Sequence, residues 1–175
     1  MQSVLAKTEA NRPVCSAEFR QGMRKLAASV AIIAAASGDR RRGLTVTAVC
    51  SVSADPPRVA VCVNKESSAH DTIVQAQAFS LNMLGSDQIE IARAFSGAVE
   101  ADKRFSDDDW HAGPTGLPML RGALVAFECD LEKIVDATTH HIFIGAVRGI
   151  ENNPQEDPLL YHDRQYKFLS YPEIF

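Results

Sequence analysis

The chain has 175 residues, 46% apolar and 23% charged, which most simply makes one domain with a real core and an ordinary globular balance. A net charge of −4, with no basic run longer than Arg40-Arg41-Arg42, argues against nucleic-acid binding. No apolar stretch reaches the roughly 20 residues that a membrane-spanning helix needs.

Residues 1–15, MQSVLAKTEANRPVC, are polar and carry acid as well as base. They lack the apolar run of a secretory signal and are expected as a disordered lead-in to a domain over 16–175. Ser16 is placed to cap a short helix in which Phe19, Met23 and Leu26 recur at helical spacing. Residues 28–36 are small and apolar on both faces, which predicts a strand packed on both sides.

After a turn at Ser37-Gly38-Asp39 comes the run 43–57, GLTVTAVCSVSADPP. Read at strand period, Leu44, Val46, Ala48, Cys50 and Val52 make one apolar face. The other face carries Thr45, Thr47, Val49, Ser51 and Ser53, four hydroxyls and no charge. A face turned to bulk water usually recruits Lys, Glu or Arg, so this one suits a polar, uncharged ligand. Plain β-propensity is the other explanation.

Residues 58–64 predict a strand buried on both faces. The chain turns polar at Lys65-Glu66-Ser67-Ser68, enters a helix over AHDTIVQA, and returns to a strand over 79–84. Ser86 is expected to cap the next helix, with Ile89, Ala92 and Phe95 on one side. Over 97–122 the pattern dissolves into charge, Gly and Pro, a long loop of the kind that is usually functional or mobile. Two long strands, 123–135 and 140–150, and a tail PLLYHDRQYKFL complete the series. Strands dominate without alternating regularly with helices, which favours an antiparallel barrel over a doubly wound parallel sheet.

The motifs GxGxxG, GxxxxGK[ST] and GxSxG do not occur, so a Rossmann fold, a P-loop and a nucleophile elbow are unsupported. The five histidines lack metal-ligand spacing, and the adjacent His140 and His141 point to opposite faces of a strand. Cys15, Cys50, Cys62 and Cys129 form no CxxC, and a reducing cytoplasm is the economical setting. The junction Asn64-Lys65-Glu66-Ser67-Ser68-Ala69-His70 joins a strand to a helix, where free N–H groups, two serines and Lys65 suit a phosphate. Simple capping by Ser67 or Ser68 is the alternative. Only a two-proline turn and one strand separate this junction from the hydroxyl face. One groove can therefore take a neutral heterocycle at one end and a phosphate at the other, the polarity of flavin mononucleotide (FMN).

The blocks GLTVTAVCSVSADPPRVAVCVN and NKESS, Ala94-Phe95, Phe105 and Trp110, Thr139-His140 with Gly145, and Pro158-Leu159-Leu160-Tyr161 resemble one pattern. It is that of the flavin reductase-like, FMN-binding split-barrel family, and it spans roughly residues 19–168. The chain is most similar to the small reductase components of two-component monooxygenases. The resemblance implies a mostly β fold with short helices: a six-stranded antiparallel Greek-key split barrel, forming a homodimer with flavin near the interface. It implies that Thr45, Val46, Thr47 and Ala48 line the isoalloxazine edge with Ser51 nearby. Asn64, Ser67 and Ser68 fall on the phosphate stretch, Phe95 contributes from its helix, and His140 positions flavin and nicotinamide, a neutral core histidine being the other reading. The chain reads Thr138-Thr139-His140 where relatives usually have Gly-Thr-His or Gly-Asp-His. His141 has no counterpart and is expected as a surface strand residue.

The activity implied is hydride transfer from NADH or NADPH to FMN or FAD, with reduced flavin passed to a partner monooxygenase in the cytoplasm. The cofactor carries the reactivity, so no acid–base dyad is required. Two alternatives stand beside it: a flavin-dependent reductase of ferric chelates or cobalt corrinoids, and a non-catalytic FMN-binding protein. The loop 97–122, with Lys103, Arg104, Phe105 and Trp110, is either a cover that selects the acceptor or a solvated connector.

Overall fold

The computed structural model describes residues 13–153 and 157–171. Residues 1–12 of the expected lead-in therefore lie outside the described residues.

Helix α1 (Ser16–Met23) starts one residue earlier than Ser16 as a cap would place it: Cys15 holds the extended cap position, and its N–H donates to Glu18 Oε2 at 3.0 Å. Strands β1 (Ala28–Ser29) and β2 (Ala31–Ser37) follow, and residues 30–35 are fully buried, as expected for small apolar residues packed on both sides. Next come β3 (Arg40–Val46), β4 (Val49–Ala54), β5 (Pro57–Asn64), α2 (His70–Ala76) and β6 (Ala78–Met83). Helix α3 (Ile89–Arg93) is capped at Gln88 and not at Ser86. The Gln88 side chain accepts from Gly85 N–H at 3.0 Å and donates to Arg121 O at 3.1 Å, while Ser86 N–H is taken by Asp157 O. The helix widens into a π turn (Ala94–Ala98) that Gly97 ends at φ 117°. Strands β7 (Trp110–Ala112), β8 (Pro118–Leu120), β9 (Val125–Ala137), β10 (His140–Asn152), β11 (Leu160–His162) and β12 (Gln165–Lys167) complete the order.

Among the described residues every strand pairing is antiparallel, and the main sheet has the order β3-β2-β6-β9-β10-β5-β4. That is seven strands where six were expected, because the run read as one strand is interrupted at Thr47-Ala48. The interruption also shifts the phase of the alternation. Leu44 and Val46 pack inward as expected, but beyond the break it is Val49 that packs on the core. Ala48, Cys50 and Val52 are exposed. A strict period of two cannot survive a residue outside the ladder.

One core fills the inside of the curled sheet, built from Ile33, Val46, Val59, Val61, Val63, Ile73, Phe79, Leu81 and Phe143. Gly145 lets β10 approach this core: a Cβ there would lie 2.5 Å from the Phe79 ring and 2.9 Å from Cys129 Cβ. Burial, and next the neighbouring Glu128, pushes the Cys129 thiol up to about 12. A second core lies on the other side of β2 and gathers Ile32, Leu84, Phe95, Trp110, Met119, Leu120 and Leu159.

The segment 97–122 belongs to that second core and is not a solvated connector. Its β7–β8 hairpin buries Trp110, Met119 and Leu120. The Phe95, Phe105 and Trp110 rings meet at centroid distances of 4.9 to 5.2 Å. Arg42 pairs with Asp102, and Arg41 with Asp107 at 3.2 Å. The apolar residues are separated by acids, Gly and Pro, so no period announces them in the sequence.

The β9–β10 turn explains the Thr138 departure. Ala137 and His140 pair directly, and Thr138 takes φ 57° between them. A β-branched residue is strained in that region, whereas glycine is not. Thr138→Gly should therefore stabilise the fold by about 1 kcal/mol. A urea midpoint that stays put or falls would contradict this.

Candidate functional site

A groove of about 490 Å³ opens where the end of β5, the turn after it, β3 and the π turn converge. It brings together Thr45, Asn64, Ser67, Ser68 and Phe95, five of the residues singled out in the sequence, and adds Ser96, Gly97 and Arg104.

The turn after β5 is braced from within. Glu66 N–H donates to Asn64 Oδ1 at 2.9 Å, Ser67 N–H to Asn64 O at 3.1 Å, and His70 N–H to Ser67 O at 3.1 Å. Helix α2 has Ala69 at its cap position with no side-chain cap, so neither serine caps it. Ser67 Oγ is buried and has no hydrogen-bond partner among the described residues, which normally costs about 1–3 kcal/mol unless a ligand or water supplies one. Lys65, expected beside the phosphate, is instead 2.6 Å from Asp136. That hydrogen bond, reinforced by the Thr138 N–H, holds the Asp136 carboxyl below the usual carboxylate range.

Arg104 is the cation of the groove. Its Nε donates to Val99 O at 2.8 Å and its Nη1 to Gly43 O at 3.2 Å. Among the described residues no carboxylate forms an ion pair with it. Burial, and next the charge of Arg42, lowers its guanidinium from the ordinary arginine value. A fixed, partly desolvated guanidinium without a counter-charge is a preorganised anion site. The sequence placed Arg104 in the 97–122 loop but gave no sign that the loop folds back onto β3. Gly43 also lets the Phe95 ring close on β3, since a Cβ there would lie 2.9 Å from both Ile33 O and Phe95 Cε1.

The remaining candidates divide. Thr45 Oγ1 already donates to Ala92 O at 2.7 Å, so its hydroxyl ties β3 to α3. The Val46 side chain is buried in the main core. Thr47, with Thr45, Tyr161 and Tyr166, lines an adjoining cavity of about 210 Å³. Thr47 and Ala48 also line a larger one of about 800 Å³ with Met23, Cys50, Cys62 and Ile142. Both residues stand outside the two ladders, and neither N–H has a backbone partner among the described residues. Ser51 lines none of these cavities and is exposed. His140 is exposed, faces Asn64 across the β5–β10 pair, and its Nδ1 meets Thr139 Oγ1 at 2.9 Å; it does not line the groove. His141 is not the surface residue expected, since its ring is half-buried against His70 at 2.8 Å. The β5–β10 register and the fold of the turn bring them together, which no spacing in the sequence could announce.

Among the described residues no helix is long and apolar enough to cross a membrane, and no group of three His, Cys, Asp or Glu side chains is placed to hold a metal.

The family model described as "Flavin reductase like domain" matches residues 23–170. The chain is 35% identical over 169 residues to FMN reductase (NADH) RutF of Serratia proteamaculans, covering 96% of this chain and 97% of that one. To the protein of the same name from Methylorubrum extorquens it is 36% identical over 157 residues, covering 90% and 77%. Among solved structures it is similar to BorF, the flavin reductase component of a bacterial two-component tryptophan halogenase, with a TM-score of 0.83 and 29% identity over 90% of this chain and 100% of that one. The styrene monooxygenase flavin reductase of Pseudomonas putida S12 matches with a TM-score of 0.78 and 29% identity, over 88% and 98%.

Proposed function

The chain belongs to the flavin reductase-like domain family, and on that premise we propose that it is an NADH-dependent flavin reductase that passes reduced FMN to a partner oxygenase. The observation that carries this reading is the pairing, in one groove, of the buried and unpartnered Ser67 Oγ with the unpaired Arg104 guanidinium. Neither is a comfortable state for a buried polar group, and a phosphate relieves both.

Ser67, Ser68 and Arg104 hold the phosphate in this reading, while Asn64 keeps the turn in shape through its bond to Glu66 N–H. Bound flavin supplies the two-electron chemistry. The N–H groups of Thr47 and Ala48 are free for the polar edge of the ring system, where negative charge is favoured by fixed backbone donors. Thr45, through Ala92 O, fixes the distance between β3 and α3. Phe95 forms an apolar wall, and the Val46 side chain serves only the core. Ser51 and His140 lie outside the groove and have no contact role in this reading. FAD fits the same turn with its first phosphate.

The sheet is read as the six-stranded Greek-key split barrel, with β3 and β4 counted as two halves of one strand. These are the two edges of the ladder, and Thr47-Ala48 joins them covalently. A homodimer is supported by the apolar Met23 and Leu26, 47% and 59% exposed where they line the large cavity with Thr47 and Ala48, and by Phe19 on the same helix as Met23, 61% exposed. A second copy there puts the flavin edge near the subunit boundary. The functional unit is taken as 16–175, and four unpaired cysteines support a reducing cytoplasm.

The test is anaerobic NADH oxidation with and without added FMN. Protein that binds FMN yet leaves NADH untouched would sink the reductase reading in favour of a binding protein. Ser67→Asp places a carboxylate against the phosphate and should weaken FMN binding by about tenfold or more, on the order of 1.4 kcal/mol. Unchanged affinity would remove the turn from the site.

A further inference from the structure

His70 and His141 line no part of the groove, yet their rings form a continuous polar chain behind it. His70 Nε2 lies 2.8 Å from His141 Nδ1. On the outer sides, His70 Nδ1 lies 2.9 Å from Asp71 Oδ1, and His141 Nε2 faces Asp136 Oδ2 at 3.5 Å. The side chains are only 11% and 20% exposed.

A carboxylate can only accept, so His70 Nδ1 donates to Asp71, and within the inner pair one ring nitrogen donates to the other. Asp71 faces the pair from α2, Asp136 from β9, and Lys65 from the turn through the same Asp136 oxygen at 2.6 Å. From β10, Phe143 stacks on His70 at 5.6 Å, and His140 turns away to Thr139.

We propose that this histidine dyad is a latch that positions the anion-binding turn, with His70 and His141 as positioning residues. This rests on the reading of the groove as a flavin phosphate site. His70 is the first residue of α2, and its N–H holds Ser67 O at 3.1 Å. Its ring is fastened to β10 by His141, so the latch sets where Ser67 and Ser68 stand. Without it, that end of the turn keeps the packing of Ala69 and Ile73 in the main core, the Lys65 N–H bond to Thr139 O and the exposed Lys65–Asp136 pair. Exposed pairs hold little. The isoalloxazine end is held by a different segment, so the latch governs flavin affinity and not the hydride step.

The test compares full-length wild type, His141→Phe and His141→Gln. FMN Kd is read from flavin fluorescence, with kcat and the KM for NADH taken at saturating FMN. Phe breaks the latch, whereas the Gln amide can donate to His70 Nε2. The expected result is an FMN Kd about tenfold higher for His141→Phe, near wild type for His141→Gln, with kcat and the KM for NADH unchanged in both. Equal losses in both variants, or none in either, would overturn the proposal. Nitrogen-15 shifts of wild-type histidines at neutral pH stand independently of both variants and their folding. They should show a proton on Nδ1 of His70 and one donor and one acceptor nitrogen between the rings; a bare His70 Nδ1 overturns the dyad. Wild type that binds FMN without oxidising NADH defeats the reductase reading alone, since Kd and nitrogen shifts still decide the latch. Wild type that binds no FMN defeats both.

Discussion

Replacing Arg104 with Leu is expected to weaken FMN binding roughly a hundredfold while leaving riboflavin binding unchanged. A charge-assisted hydrogen bond contributes about 1.5–3 kcal/mol, and each 1.4 kcal/mol is about tenfold in affinity. The guanidinium is held by two carbonyl oxygens, Val99 O at 2.8 Å and Gly43 O at 3.2 Å, so its orientation is set before any ligand arrives. Little side-chain entropy remains to be lost on binding. Riboflavin has the same ring system and no phosphate, so it separates charge recognition from groove shape. Equal losses for both ligands would mean that Arg104 only props the 97–104 segment against β3. Arg104→Lys should fall between wild type and Leu, because an ammonium keeps the charge and loses the fork. Calorimetric titration with the two flavins, repeated at raised salt, checks all of this.

Asn82→Leu should cost about 3 kcal/mol of stability, the largest single effect expected in the fold. Asn82 is fully buried on β6. Its Nδ2 donates to Ile32 O at 3.3 Å and to Ser80 Oγ at 3.0 Å, and its Oδ1 accepts from Leu120 N–H at 2.9 Å. Ser80 Oγ in turn donates to Pro118 O. Two buried polar side chains thus staple the β7–β8 hairpin to the main sheet. Leucine has nearly the same volume but leaves the buried Leu120 N–H without its acceptor, at roughly 1–3 kcal/mol for an unsatisfied group, and takes a donor from Ser80 Oγ and Ile32 O. In a chain of this size, 1 kcal/mol moves the melting temperature by about 2–4 °C, so a drop near 10 °C is expected. A drop of less than about 2 °C would show that water or a small shift satisfies those groups.

Local pattern carried a large share of the fold. The small, two-faced apolar run of residues 28–36 and the largely apolar run 58–64 reappear as β2 and β5 because burial on both faces demands apolar residues throughout. The helix over AHDTIVQA reappears as α2, with Ile73 in the core. The site was legible in part for the same reason: Asn64, Ser67 and Ser68 are neighbours in sequence, so one turn gathers them. Other features failed because they depend on more than one segment. The alternation of 43–57 breaks at Thr47-Ala48 because β3 pairs with β2 on one side and β4 pairs with β5 on the other. No single-strand period encodes a change of partner.

The sequence by itself determined that the chain is mainly antiparallel β, which turn holds the serines, and which family its blocks resemble. All of these rest on residues that lie close together or recur at a fixed step. The tertiary structure alone decided that Arg104 closes the groove, that the Thr45 hydroxyl is spent on α3, that Lys65 answers Asp136, and that His141 latches His70. Each of these joins groups 47 or more residues apart. Only the register of strands brings such groups within hydrogen-bonding reach, and register is a property of the packed sheet.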